Sequence, residues 1–174
     1  MDFEQLLRSA RPGDALLEWT KPLPVFLDTA NAISAGPRPW HSGNVLGHLA
    51  RCMNETAGDP LAVWMALTHD AGKLTTPKCL LPHHYGHELR GAILAPIWAR
   101  QLGLGPVYAE AGRLAARWHM RAGKYAVLRQ GKKRQLLETF PPEGAGASFW
   151  KMVDADCRAP VSRLALADAR RLPA

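Results

Sequence analysis

An all-α bundle is the fold class this sequence predicts, and three observations predict it. From His41 onward apolar residues recur at three- and four-residue intervals. No segment sustains the two-residue alternation of a half-buried strand. Capping and breaking residues punctuate the chain at helical lengths. A chain of 174 residues fits one domain. With 47% hydrophobic residues and six Trp it can build a core, which excludes a globally disordered chain.

The elements follow in order. Residues 1–37 read as a Pro-rich lead-in with one short helix near Phe3–Ser9, because Pro12, Pro22, Pro24 and Pro37 interrupt any longer period. Residues 38–174 form the helical domain, with about six or seven helices expected. The first carries His41, Val45, His48/Leu49 and Cys52/Met53 on one face. The second has Asp59 as N-cap, Pro60 at its first position and Gly72 just past its end. Its body, Leu61 to Leu67, is apolar nearly all round and should be the buried central helix. A loop with Thr75, Thr76, Pro77 and Pro82 leads to a third helix from about His84 to Gln101, with a kink or break expected at Pro96. Pro106 opens a fourth, through about His119. A fifth spans roughly 125–140 and is stopped by Pro141-Pro142. A sixth runs from about Ala147 to Asp156, and Pro160 opens the last. Trp64, Trp98, Trp118 and Trp150 fall inside these helices and are expected in the core.

Composition narrows the function classes. No apolar run reaches the ~18–20 residues that span a bilayer. The start, Met1-Asp2-Phe3-Glu4, lacks the basic and then apolar pattern of a signal peptide. Cys52, Cys79 and Cys157 are odd in number and widely spaced, so a disulfide framework is not expected and a reducing cytoplasm is the expected setting. The net charge of +7 favours an anionic partner, a nucleotide or RNA among them. The run Arg129-Gln130-Gly131-Lys132-Lys133-Arg134 reads first as a solvated surface.

The chemistry concentrates in the histidines, all seven of which lie between His41 and His119. The adjacent pair His69-Asp70 puts a nitrogen and an oxygen donor at the end of the buried helix. Divalent metals of the zinc, manganese, iron or nickel kind accept imidazole and carboxylate together, and Ni, Mn, Co, Mg, Fe or Zn are the candidate ions. His41, His69, Asp70 and Asp156 are the expected ligands of one ion. Asp70 can bridge to a second, with His84 or His87 and His119, since His84 and His87 at i and i+3 share a helix face. Lys73, one turn past the pair, is expected either to neutralise a phosphate or to orient Asp70. Arg90, one turn past His87, is a further candidate, as are Arg121 and Lys124 after His119. His48 reads as a core histidine and Asp154 as a neighbour of the site rather than a ligand.

His41, His69-Asp70 and Asp156 resemble in order and approximate spacing the HD superfamily of metal-dependent phosphohydrolases. The stretches Pro39-Trp40-His41, Ala66-Leu67-Thr68-His69-Asp70-Ala71-Gly72-Lys73, Leu81-Pro82-His83-His84-Tyr85-Gly86-His87-Glu88, Trp118-His119 and Asp154-Ala155-Asp156 are similar to the C-terminal HD domain of bacterial CCA-adding tRNA nucleotidyltransferases. The likeness covers roughly residues 38–160. It implies a single all-α HD-domain helical bundle and a hydrolase acting on 2′,3′-cyclic nucleotides, 2′-nucleotides or simple phosphates. By match to the motif, His41, His69, Asp70 and Asp156 hold the metal, and His84, His87 and His119 serve a second ion or the substrate. The Gly-Ser and Asp-x-Asp pattern of nucleotide addition is not in this sequence, whose one Asp-x-Asp is Asp154-Ala155-Asp156, so that activity is not carried over.

The expected function is thus a metal-dependent phosphohydrolase with one or two divalent ions, in which Asp70 and Lys73 act on a nucleotide, phosphate ester or RNA end, with tRNA as a further candidate partner. Two alternatives stand beside it. One is a non-catalytic RNA- or nucleotide-binding domain stapled by its metal. The other is a di-iron oxygenase, because a related His/His-Asp/His/His/Asp set can hold two irons.

Overall fold

Local sequence signals account for most helix starts in the computed structural model, which describes residues 2–37 and 43–171. Asp2 and Gln5 form a reciprocal capping box at the head of α1 (Phe3–Leu7), each side chain accepting from the other's backbone N–H at 2.8 Å. Asn44 accepts from the Gly47 amide and starts α3 (Val45–Glu55). Asp59 accepts from the Ala62 amide and, with Pro60 at the first position, starts α4 (Pro60–Thr68). Then follow α5 (His87–Gln101), α6 (Pro106–Ala122), α7 (Gln130–Thr139), α8 (Gly144–Cys157) and α9 (Val161–Ala169). The fold is all-α, with no strand among the described residues and short 3₁₀ turns between helices. No described helix is long and apolar enough to cross a membrane.

The lead-in is more regular than its prolines suggest. Pro12 opens a second helix, α2 (Pro12–Leu17), since the first turn leaves its missing N–H without consequence. Gly13 lets α2 lie directly on α3: a Cβ there would come 1.9 Å from the Ala50 carbonyl oxygen. Leu6, Leu7, Leu27 and Ala30 are fully buried and join the main core, so the lead-in packs as part of it.

Three other expectations change. The break at Pro96 does not occur, and α5 runs continuously through it. The fifth helix starts late: Tyr125–Val127 is a 3₁₀ turn, Leu128 and Arg129 are extended, and α7 begins at Gln130. The third starts at His87 rather than His84, because Gly86 takes a left-handed φ of 71° just before it.

The central helix is as expected: Ala62 through Thr68 are buried on every side. It packs against α3, α6 and α8, which bring their own side chains to its C-terminal end. Trp64, Trp98 and Trp150 are buried, and each indole N–H finds a carbonyl, on Tyr108, Val25 and Phe140 respectively. Trp118 is only half-buried and lies under the Arg121 guanidinium at 4.7 Å.

Beyond α4 the chain turns through a 3₁₀ segment, Ala71–Thr75, that presses on the start of α5. Gly72 makes this approach possible, because a Cβ on it would sit 1.9 Å from the His87 carbonyl oxygen. The same contact brings Asp70 to His87. Gly72→Ala is therefore expected to cost about 1–3 kcal/mol of stability and to separate the two side chains. A denaturant melt beside a metal-binding titration would check both effects; an unchanged midpoint would contradict the contact.

Candidate metal centre

His69 is the C-cap of α4, and Asp70 follows it at the head of the next 3₁₀ turn. Both are buried. His48 comes from α3, His87 from the first residue of α5, His119 from the last turn of α6, and Asp156 from the last turn of α8. Four helices thus converge on the end of a fifth.

The Asp70 carboxylate is the hub. Its Oδ2 lies 3.3 Å from His48 Nε2, 3.4 Å from His69 Nε2 and 2.7 Å from Lys73 Nζ. Its Oδ1 lies 3.3 Å from His87 Nε2 and 3.4 Å from His119 Nε2. Asp156 Oδ1 completes the first side, 3.3 Å from His48 Nε2 and 3.5 Å from His69 Nε2. Each oxygen of one carboxylate therefore faces its own pair of imidazoles.

Three of the four rings are held in one tautomer. The Nδ1–H of His69 donates to the Ala66 carbonyl at 2.8 Å, that of His87 to His84 at 2.7 Å, and that of His119 to Ala116 at 2.9 Å. In the neutral ring each Nε2 then carries a lone pair. Yet His87 and His119 turn these nitrogens toward each other at 3.2 Å, and His69 faces His48 at 3.1 Å. At the His87–His119 pair, two lone pairs so close beside the Asp70 carboxylate call for a cation, a proton or a metal ion, between them. His48 differs, since its Nδ1 faces the Arg51 guanidinium at 3.3 Å.

The spacing fits coordination. Donors about 2.0–2.2 Å from one ion lie roughly 2.8–3.6 Å apart, across octahedral and tetrahedral arrangements. The distances above, 3.1–3.5 Å on the His48/His69/Asp156 side and 3.2–3.4 Å on the His87/His119 side, fall within that range. Two groups among the described residues could hold a metal ion: His48, Cys52, His69 and Asp156, and Asp70, His87 and His119.

The charges agree with this. Burial would disfavour protonated imidazole, but hydrogen bonds to Asp156 and Asp70 outweigh it and raise the His48 pKa. Burial opposes a proton on His69 too, and the negative charge of Asp70 and Asp156 overrides it. Both carboxyls are held well below their ordinary range despite burial, Asp70 by Lys73 and His69, and Asp156 by His69 and His48. Without an ion, protons on imidazole balance the carboxylates. A metal bound by His48 and His69 must displace theirs, so filling that position at pH 7 is expected to release about one proton or more and to weaken as pH falls. Calorimetric titration in buffers of different ionisation enthalpy measures this; a buffer-independent heat would contradict it.

A cavity of about 370 Å³ opens onto the Asp70/His87/His119 side. Lys73 and Asp156 also line it, and Tyr85 and Met120 are exposed at its walls. The Tyr85 ring stacks on His83, 9° from parallel. Lys73 is buried and donates to the Ala35 carbonyl at 2.8 Å as well as to Asp70. It orients Asp70 and brings positive charge to the cavity wall.

His41 lies outside the described residues. His84 is not on the α5 face: it precedes the helix, lines the cavity, and has both ring nitrogens engaged, Nε2–H donating to the Ser34 carbonyl at 2.9 Å and Nδ1 accepting from the Thr76 hydroxyl at 2.8 Å. Burial lowers its pKa, in keeping with a neutral ring. It leaves no lone pair for an ion. Arg90 spends its guanidinium on Gly72, Thr75, Thr76 and the Tyr85 carbonyl, and so fastens the loop that carries His84. Arg121 is drawn to Trp118 and Gln135. Asp154 caps α9 through Ser162. His48 is the residue that sequence reasoning passed over. A polar ring on an apolar helix face, one turn before a cysteine, was the available signal.

Comparison with known proteins adds an outside view. The chain is 31% identical over 139 residues to the Multifunctional CCA protein of Alkalilimnicola ehrlichii, a match covering 76% of this chain and 33% of that protein. It is 30% identical over 141 residues to that of Legionella pneumophila strain Lens, covering 78% and 33%. It is 40% identical over 75 residues to that of Azoarcus sp., covering 43% and 18%. The chain is similar to part of the Multifunctional CCA proteins. The longer of these matches spans about a third of the relative's length. No family model matches the chain, and no solved structure matches it.

Proposed function

We propose that this protein is an HD-type metal-dependent phosphohydrolase acting on phosphate esters or 2′,3′-cyclic phosphodiesters of nucleotides or RNA ends. The observation that carries the reading is the Asp70 carboxylate set between two pairs of imidazole Nε2 atoms, three of them fixed by backbone carbonyls. His48, His69, Asp156 and Oδ2 of Asp70 would hold one divalent ion, and His87, His119 and Oδ1 of Asp70 a second. Bound there, such ions supply Lewis acidity toward a phosphoryl oxygen and a lowered pKa for water.

The chain's own groups do the rest. Hydrogen bonds from the ring Nδ1–H groups to the Ala66, His84 and Ala116 carbonyls keep the rings from turning away and raise the basicity of Nε2. Lys73 holds Asp70 in its bridging orientation and puts positive charge where a phosphate would enter. The stacked His83 and Tyr85 present an aromatic face beside the cavity, suited to a nucleobase or another flat ring. Exposed Arg129, Lys132 and Arg134 add charge attractive to a longer polyanion. The similarity to Multifunctional CCA proteins supports the same chemistry class.

The test is an assay on 2′,3′-cyclic AMP and a chromogenic phosphodiester with Ni²⁺, Mn²⁺, Co²⁺, Mg²⁺, Zn²⁺ or Fe²⁺ added, beside an Asp70→Asn control. Metal-dependent turnover that the control lacks is the expected result. Folded protein inactive with every ion would favour a binding module, and iron-dependent O₂ consumption would favour an oxygenase.

A further inference from the structure

The two sides of the Asp70 carboxylate are not chemically alike. The His87/His119 side opens to the cavity and offers only nitrogen and oxygen donors. The other side adds a sulfur. Cys52 follows His48 by one helical turn on the same face of α3, and its Sγ lies 3.9 Å from His48 Nε2. Sγ, the two imidazole nitrogens of His48 and His69, and a carboxylate oxygen of Asp156 all lie within 4.8 Å of one another. Cys52 has no exposed surface, and neither it nor His48 or His69 lines the cavity.

We propose that Cys52 is a ligand of the inner ion, giving that position a nitrogen, sulfur and oxygen donor set unlike that of the outer position. This rests on the metal-centre reading above and extends it to metal selection. With metal–sulfur and metal–nitrogen distances of about 2.3 and 2.0–2.1 Å, sulfur and a neighbouring nitrogen on a four- or five-coordinate ion lie roughly 3.1–3.6 Å apart, so the 3.9 Å contact with His48 closes with an inward shift of a few tenths of an ångström or more, His69 and Asp156 lying within 4.8 Å. Thiolate favours the softer borderline ions, zinc and cobalt, over magnesium or manganese. The buried position should therefore retain a zinc-like ion, while the open one exchanges with the medium. Cys79 is exposed and serves as an internal control, as does Cys157, which neighbours Asp156 in sequence but is absent from the donor group.

Cobalt(II) titration of the metal-free protein tests this without reference to activity. The expected result is a sulfur-to-cobalt charge-transfer band in the near ultraviolet, present in the Cys79→Ser and Cys157→Ser variants and lost in Cys52→Ser. Zinc affinity at the tighter site should fall about 10-fold or more in Cys52→Ser. Cadmium-113 resonance of the wild-type protein provides a check that needs no variant, since a sulfur ligand moves the signal strongly downfield. Stoichiometric cobalt binding with no such band, and a cadmium signal typical of nitrogen and oxygen ligands, would overturn the Cys52 assignment while leaving the metal centre intact. A band lost in Cys157→Ser instead would overturn it in favour of Cys157. No cobalt bound at all would remove the metal centre itself and this proposal with it.

Discussion

Replacing Asp70 by Asn is expected to empty the outer metal position and to lower turnover by ~10²–10³-fold or more, in a protein that still folds but is less stable because buried Lys73 loses its counter-charge. The reason is geometric. Asp70 is buried, and both of its oxygens are in use: Oδ2 meets Lys73, His48 and His69, and Oδ1 meets His87 and His119. An amide has one acceptor and one donor end. The Lys73 ammonium, 2.7 Å away, can only donate, so it takes the amide oxygen. The NH₂ group must then face the His87 and His119 nitrogens, and no ion can share that side with it. The inner position keeps His48, His69 and Asp156 and should retain its ion more weakly. Metal analysis after desalting, set beside kinetics at saturating metal, separates the two effects. Turnover within tenfold of wild type would rule Asp70 out as the bridging group.

Lys73→Met tests the other half of that pair. The ammonium and the carboxylate are both nearly inaccessible to water, with side chains 6% and 3% exposed. Removing one partner of a buried pair leaves an uncompensated charge, a loss on the order of 3–5 kcal/mol. Methionine fills nearly the same space, so little of the effect comes from a cavity. In the metal-free protein the whole loss should appear, because Lys73 is the chief charge holding Asp70 ionised. With ions bound, their positive charge takes over that role and the loss should shrink. The variant should therefore gain more stability from metal than the wild type does, by ~1 kcal/mol or more. Paired thermal melts with and without metal measure the difference. An equal gain in both proteins would mean that Lys73 and the ions do not act on the same carboxylate.

These expectations rest on residues that differ in how openly the sequence announces them. His69-Asp70 was legible because its chemistry is adjacent in the chain and the apolar run before it, Leu61 to Leu67, marks a buried helix that must deliver the pair inside. Asp156, His87 and His119 were legible as donors at helix ends. Lys73 was legible by spacing, three residues from Asp70. Helix starts at Asp59-Pro60 and Pro106 followed from local capping and proline preferences, which depend on a few neighbouring residues, whereas the Asn44 cap of α3 was not read from the sequence.

The sequence by itself determined the all-α class, the buried central helix, and the His-Asp pair with its flanking donors, because periodicity, capping and adjacency are short-range properties of the chain. Only the tertiary structure decided which donors meet. His48 reads as one more core side chain until α3 lies against α4 and its Nε2 falls 3.1 Å from that of His69. His84 and His87 look equivalent at i and i+3 until Gly86 starts the helix between them and the Thr76 and Ser34 contacts occupy both His84 nitrogens. Cys52 reads as a small apolar residue until the same packing sets its sulfur among three other donors. Each of these depends on interhelical approach, which is set by long-range packing and by close contacts such as Gly13 on Ala50 and Gly72 on His87, where a single missing Cβ decides how near two backbones can come.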